Sequence, residues 1–312
     1  MAETERFTPR RVLGRTGFVA TALGIGDLAD RSVPVEACVA TARRALDAGL
    51  NVIDTAPNYE DGYSEEIVGR AVRAVPREAV FVIDKIDHHD RPVGSQIDGS
   101  LARLGLGHAD LFVFHDLSSL DAFDRLCQPG GGFDQLADAV TGGKARFRGV
   151  SSHSPEVLRA ALTAGVCDVV LFPVGPFVDE RYVTDILPLA RSLGAGTVCF
   201  KTFGAGKLVG DTSGYNQPLS ARPRGKVSSG GADAAGAALP RLTAAECLHY
   251  TLTLDPDVAL LGLSYPNEQD AAFAAARAFR PLAAAQMADV RTRAAAARRD
   301  KGPCWWNPDP HA

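Results

Sequence analysis

Short apolar runs rich in β-branched residues recur along the chain and alternate with longer stretches whose apolar positions fall at helical spacing. The runs predict strands over residues 20–26, 51–55, 80–85, 111–115, 148–152, 169–172, 197–200 and 258–263. Between them, three-and-four spacing predicts helices over 35–48, 64–75, 93–104, 133–142, 155–164, 180–193 and 244–254, with a further one starting near Asn267. A run that is apolar at every position suits a strand covered on both faces, and an intervening helix implies parallel pairing. Eight strand–helix units are the count of a (β/α)8 TIM barrel, an α/β fold that ordinarily takes about 250 residues. A doubly wound sheet is the rival. It usually announces itself by a glycine-rich turn after the first strand, and Gly24-Ile25-Gly26 offers only GxG, while GxxxxGK[ST] occurs nowhere. The pattern favours the barrel, as one domain over residues 1–312.

Two stretches break the rhythm. Residues 209–239 form a long connection rich in Gly, Ser, Ala and Pro, and a loop of that length in a compact fold is usually functional or mobile. One expectation is a lid that orders over a bound cofactor; the other is a mobile insertion. The extension 281–312 begins with a helix over 286–299, whose Arg291, Arg293, Arg298 and Arg299 read as a solvated face. It ends in Cys304-Trp305-Trp306, aromatics that either anchor the tail or wall a pocket.

Composition narrows the class. With 46% hydrophobic and 22% charged residues among 312, this is an ordinary globular chain, large enough to bury its core without disulfides. A net charge of −4 gives no reason to expect nucleic acid. No apolar run approaches the roughly 20 residues of a membrane span, and the N-terminal stretch has no apolar leader. Six cysteines (Cys38, Cys127, Cys167, Cys199, Cys247 and Cys304) are scattered without a CxxC pair, the pattern of reduced thiols in a cytoplasmic protein.

In such a barrel the C-terminal ends of the strands converge on the catalytic face. They carry Asp54 after the second strand, Tyr59 on the following loop, Lys85 after the third and His115 after the fourth. Singly, Asp54 reads as a helix cap, Lys85 as a solvated loop residue and His115 as a core histidine. Together they form an acid–base site. A phenol with a reference pKa near 10 gives up its proton sluggishly, and a neighbouring ammonium held by a carboxylate favours the phenolate. Histidine can orient a carbonyl by donating a hydrogen bond, or relay the proton. The product is a carbonyl open to hydride, and since no side chain donates hydride, a nicotinamide cofactor is implied.

These residues carry a resemblance. The segment Gly49-Leu50-Asn51-Val52-Ile53-Asp54-Thr55-Ala56-Pro57-Asn58-Tyr59, continuing through Gly62-Tyr63-Ser64-Glu65 to Gly69, resembles the signature of the aldo-keto reductases. Leu13-Gly14-Arg15-Thr16-Gly17 is similar to the β-hairpin that plugs the bottom of their barrel, and Gly149-Val150-Ser151-Ser152-His153-Ser154 to the end of their fifth strand. The last version is most similar to a bacterial branch that often carries an iron–sulfur domain, whose cysteine cluster this chain lacks. The resemblance implies Tyr59 as general acid/base, Asp54 and Lys85 as its tuning pair, and His115 as the residue that orients the substrate.

For the cofactor, NADP(H) or NAD(H), it implies Gly26, Asp54, Ser151, Ser152, Phe200, Lys201, Phe203, Gly204, Ala205, Gly206, Leu263, Ser264 and Gln269. Several positions depart from the family. Ser152 and Leu171 stand where members commonly hold the nicotinamide amide with Asn and Gln, and Phe200 replaces a stacking Tyr. Glu268 best matches an Arg that often holds the adenosine 2′-phosphate, which leaves the choice between the two cofactors open.

Asp87-His88-His89-Asp90 has the composition of a metal site, but adjacent residues rarely point at one ion; the expectation is no metal, with the loop lining the substrate mouth. Tyr63 reads as structural. The expected protein is thus a monomeric or weakly oligomeric oxidoreductase acting on a small carbonyl or alcohol. The alternatives are a non-catalytic nucleotide-sensing barrel and a non-redox lyase or isomerase.

Overall fold

A computed structural model describes residues 6–26, 29–210, 239–299, 301, 304, 306 and 307. The 211–238 part of the long connection, and Trp305, lie outside the described residues. Ten strands are described: β1 (Arg11–Val12), β2 (Val19–Ala20), β3 (Leu23–Gly26), β4 (Val52–Asp54), β5 (Phe81–Ile86), β6 (Ala109–Phe114), β7 (Ala145–Ser151), β8 (Val169–Pro173), β9 (Gly196–Phe200) and β10 (Val258–Gly262). The first two form an antiparallel hairpin. The other eight close a barrel in the order β10-β3-β4-β5-β6-β7-β8-β9, and every pairing is parallel.

The helices are α1 (Val35–Asp47), α2 (Tyr63–Val72), α3 (Val93–Leu104), α4 (Leu120–Leu126), α5 (Gly132–Thr141), α6 (Pro155–Ala164), α7 (Leu187–Ser192), α8 (Ala244–Thr253), α9 (Pro266–Arg277) and α10 (Ala284–Ala297). α3 and α6 match the expected bounds. α4 was not expected: it has two turns at most, too short for periodicity to show, and starts where Ser119 Oγ accepts from the Ala122 N–H at 3.3 Å. The helix expected over 180–193 is a π-turn, Tyr182–Ile186, running into α7. Pro188 near its junction has no N–H to continue an α-helical ladder. The strand expected over 20–26 divides between hairpin and barrel at Thr21, whose N–H donates to Asn51 Oδ1 at 2.8 Å.

Strand alternation sorts the core into two layers. Val52, Phe81, Ile83, Leu111, Val113, Val169, Leu171, Val198 and Val258 fill the barrel interior. Their neighbours Ile53, Val82, Phe112, Val170, Cys199 and Ala259 face outward under the helices. The hairpin closes the bottom with Leu13, which is fully buried within the inner layer. Gly14 makes that seat fit: at φ +48° a Cβ would stand 2.1 Å from the Gly196 nitrogen. Among the described residues no helix is long and apolar enough to cross a membrane.

Candidate active site

With Phe81 and Ile83 pointing inward, period two sends Lys85 inward as well and Asp84 outward. Register sets Gly26 beside Asp54 and Asp54 beside Ile83, which brings the ends of β3, β4 and β5 together at the top of the barrel. There Lys85 Nζ donates to both Asp54 oxygens at 2.6 Å and to the Thr55 carbonyl at 2.7 Å. Both side chains are almost wholly buried. Burial opposes the lysine charge, but the Asp54 carboxylate outweighs it and raises the pKa above its ordinary value; Tyr59 adds to that effect. Gly26 leaves room for the pair, since a Cβ there would lie 3.0 Å from Asp54 Oδ2.

The same ammonium sits 4.7 Å from the centre of the Tyr59 ring. His115 meets that ring edge to face, centroids 5.7 Å apart and planes at 81°. The four expected residues thus converge. Tyr59 is held by a tight turn in which Glu60, Asp61 and Gly62 all have positive φ. Among the described residues six non-glycines have positive φ, and five of them (Glu60, Asp61, Asp116, Lys201 and Ala205) leave the C-terminal ends of strands. Such backbone costs energy and persists where the surrounding structure over-determines it.

Asp87, expected only as part of a loop lining the substrate mouth, has a partner that sequence reasoning did not foresee. Its Oδ1 lies 2.5 Å from His115 Nδ1, and its Oδ2 accepts from the Asn58 N–H at 2.8 Å. The Asp-His-His-Asp run points in different directions: His89 Nε2 turns to the His115 carbonyl at 2.9 Å, and His88 is exposed. No three His, Cys, Asp or Glu side chains among the described residues are grouped as metal ligands. Beside the site, His153 Nδ1 bonds Asp116 Oδ1 at 2.7 Å and its ring packs on Phe200.

Across the barrel mouth, β7 ends at Ser151 and is followed by Ser152, both buried. Phe200 ends β9 half-buried, with the Lys201 ammonium 5.6 Å from its ring and equally far from the Trp306 ring. The turn that follows runs through positive φ at Lys201, Gly204, Ala205 and Gly206, and the buried Thr202 hydroxyl has no hydrogen-bond partner among the described residues. Phe203 packs on the apolar core beside it. Trp306 is fully buried and donates to the Phe177 carbonyl at 3.3 Å, the anchoring role rather than an open wall.

The sequence profile of the aldo/keto reductase family matches residues 21–291. The chain belongs to that family. It is 32% identical over 216 residues to an L-galactose dehydrogenase of Arabidopsis thaliana, covering 64% of this chain and 66% of that protein. It is 26% identical over 231 residues to the NADH-specific methylglyoxal reductase of Escherichia coli strain K12, covering 67% and 70%. Among solved structures, the holo form of the aldo-keto reductase AKR11C1 from Bacillus halodurans superposes with a TM-score of 0.69 at 20% identity, over 96% of this chain and all of that one. An aldo-keto reductase of Klebsiella pneumoniae in complex with NADPH gives 0.65, at 20% identity over 96% of both.

The loop after β10 leads into α9. Leu263 is buried in the outer core. The Gln269 side chain is wholly buried and donates to the carbonyls of Thr41 at 2.9 Å and Leu263 at 3.4 Å, tying α9 to α1. Glu268 is buried and accepts from the Tyr265 N–H at 3.3 Å, capping α9. Ser264 is half-buried at the head of that helix.

Proposed function

We propose that this chain is a nicotinamide-dependent oxidoreductase that interconverts an aldehyde or ketone with the matching hydroxyl compound, sugar lactols included. One observation carries the reading: the Lys85 ammonium, gripped by Asp54, lies 4.7 Å from the Tyr59 ring centre. A buried cation beside a phenol stabilises the phenolate relative to the phenol. That lets Tyr59 give its proton to a developing alkoxide, or take one from a hydroxyl when the reaction runs the other way. Asp54 keeps Lys85 charged and aimed, and His115 holds the substrate oxygen.

The residues present suit a dinucleotide. The turn after β9 offers a lysine, an unpartnered buried Thr202 hydroxyl and glycine-rich backbone that a diphosphate can approach closely. In this reading Ser151, Ser152 and Phe200 would hold the nicotinamide together with Gly26 and Asp54, and Ser264 would meet the adenosine end. When bound, the nicotinamide supplies or accepts the hydride. Either NAD(H) or NADP(H) fits this reading, and Glu268 is the position that bears on the choice.

The names of the relatives suggest the first substrates to try: L-galactose with NAD+, and methylglyoxal with NADH and NADPH. On whichever is turned over, Tyr59→Phe should lower kcat by about 100- to 10,000-fold, the usual worth of a general acid. Fluorescence titration with the reduced cofactor should be unchanged, because the phenol does not anchor it. Turnover within a few-fold of wild type would remove Tyr59 from its role.

A further inference from the structure

One carboxylate joins two parts of the site. Asp87 follows β5 on the loop to α3, and its side chain is only 12% exposed. Oδ1 contacts Nδ1 of His115 at 2.5 Å, and Oδ2 accepts at 2.8 Å from the backbone N–H of Asn58, the residue before Tyr59. A single side chain therefore ties the loop of the proton donor to the imidazole that faces it. An ionised carboxylate has only lone pairs to offer, so Nδ1 must carry the hydrogen between it and Oδ1. Neutral imidazole has one N–H, so Nε2 is left with a lone pair. Among the described residues no hydrogen bond involves His115 Nε2.

We propose that Asp87 is a positioning residue that fixes the tautomer of His115, so that the neutral imidazole presents an acceptor, not a donor, to the substrate. A substrate hydroxyl brings its own hydrogen and is held by the neutral ring. A substrate carbonyl brings only lone pairs and is held only by the imidazolium. The tautomer therefore makes the neutral ring select the hydroxyl form of the substrate, and Asp87 keeps the Nδ1 hydrogen paired. This refines the expectation that His115 simply donates to a carbonyl, and its kinetic consequences rest on the oxidoreductase reading above.

The surroundings of His115 leave Asp87 as the partner of its ring. From the β4–α2 loop comes Tyr59, which meets it edge to face. His89, on the same loop as Asp87, bonds the His115 backbone carbonyl and not its ring. Asp116 follows in the chain, but its carboxylate is engaged by His153 from the β7–α6 loop and by Ser118. Lys85, from β5, is turned to Asp54 and Thr55. Both partners of Asp87 approach as donors, so two acceptor oxygens are needed. An amide at this position would place its NH2 against one donor whichever way it turned.

The test is 15N NMR of the imidazole rings in the uniformly labelled full chain without cofactor, recorded on the neutral imidazole of His115. The His115 signals are assigned by their loss in His115→Gln. Wild type should show a protonated Nδ1 and a lone-pair Nε2, whereas Asp87→Asn and Asp87→Ala should show a mixed or reversed tautomer. Removing the tautomer-holding carboxylate of a serine-protease triad costs about 10,000-fold; here Tyr59 remains the acid, and the expected loss is about 10- to 100-fold in kcat/KM. Cofactor affinity should be unchanged.

A predominant Nε2–H tautomer in wild type, or a wild-type tautomer in the near-isosteric Asp87→Asn and in Asp87→Ala alike, would overturn the assignment. The two readings fail separately. If the tautomer behaves as stated while wild type binds neither NADH nor NADPH, Asp87 keeps its role and the redox reading is the one to abandon.

Discussion

Residues 84 and 85 are neighbours on one strand and meet opposite electrostatic surroundings. Lys85 enters the barrel and finds Asp54. Asp84 goes outward into the layer beneath α2 and α3, where it is fully buried and its Oδ2 has no hydrogen-bond partner among the described residues. Burial first, and the nearby Glu65 second, push its carboxyl well above the usual carboxylate range. An acid whose pKa is raised by folding binds protons more tightly when folded, so its contribution is fully present below the ordinary value of about 3.9 and is lost as pH rises above it. Asp84→Asn removes that loss. The variant should melt above wild type at pH 7 by an amount on the order of 1 kcal/mol, roughly 2–4 °C, and the gap should shrink as pH falls towards 4 in thermal melts. At this scale the four acid–base residues were legible because strand ends are legible. Asp87 was not, because its partners His115 and Asn58 are distant in sequence and its own neighbours mimic a metal run.

Between elements, α2 and α3 meet closely at Gly69. A Cβ at Gly69 would stand 1.9 Å from the Leu104 carbonyl oxygen, so only glycine lets the helices touch there. Beside that contact Glu65 is wholly buried, and Arg103 reaches it through two hydrogen bonds, the longer 3.0 Å. The contact matters for chemistry because the tight turn that seats Tyr59 leads directly into α2. Gly69→Ala should therefore cost about 3 kcal/mol by overpacking, at the upper end of the usual range, read as a lower urea midpoint. Activity should fall with it as the turn shifts. An unchanged midpoint would show that α2 and α3 can separate freely. Periodicity located both helices, but the π-turn before α7 and the two-turn α4 depend on Pro188 and on a single serine cap, signals too local for a window of residues to register.

Over the whole molecule, Lys301 and Trp306 tie the C-terminal residues back to the segments that follow β9 and β8. Lys301 is fully buried, and its ammonium donates to the carbonyls of Lys207 at 2.9 Å, Pro240 at 2.7 Å and Gly210. Gly210 and Pro240 flank the long 211–238 connection, so one lysine pins both of its ends, and the Lys207 ammonium returns a bond to the Lys301 carbonyl. Hydrogen bonds from a charged donor are each worth about 1.5–3 kcal/mol. Lys301→Met keeps the stem and removes the charge; it should lower stability by about 2 kcal/mol and weaken cofactor binding, since the turn after β9 is the part released. Equal cofactor affinity in the two proteins would separate the tail from the site.

What the sequence determined by itself is what local patterning can express. Continuous apolar runs alternating with segments of period 3.6 set eight strand–helix units, a parallel barrel buries such strands on both faces, and its geometry brings residues 54, 59, 85 and 115 to one mouth. Contacts between segments far apart in the chain were decided only by the tertiary structure. They placed Asp87 on His115, turned Gln269 inward to α1 and Glu268 to a helix cap, gave Trp306 to the tail's anchorage, and left Asp84 buried beneath two helices. Each of those depends on which side chain arrives opposite, and a polar group takes whichever partner satisfies it once water is gone. Hydrophobic spacing carries no record of that choice.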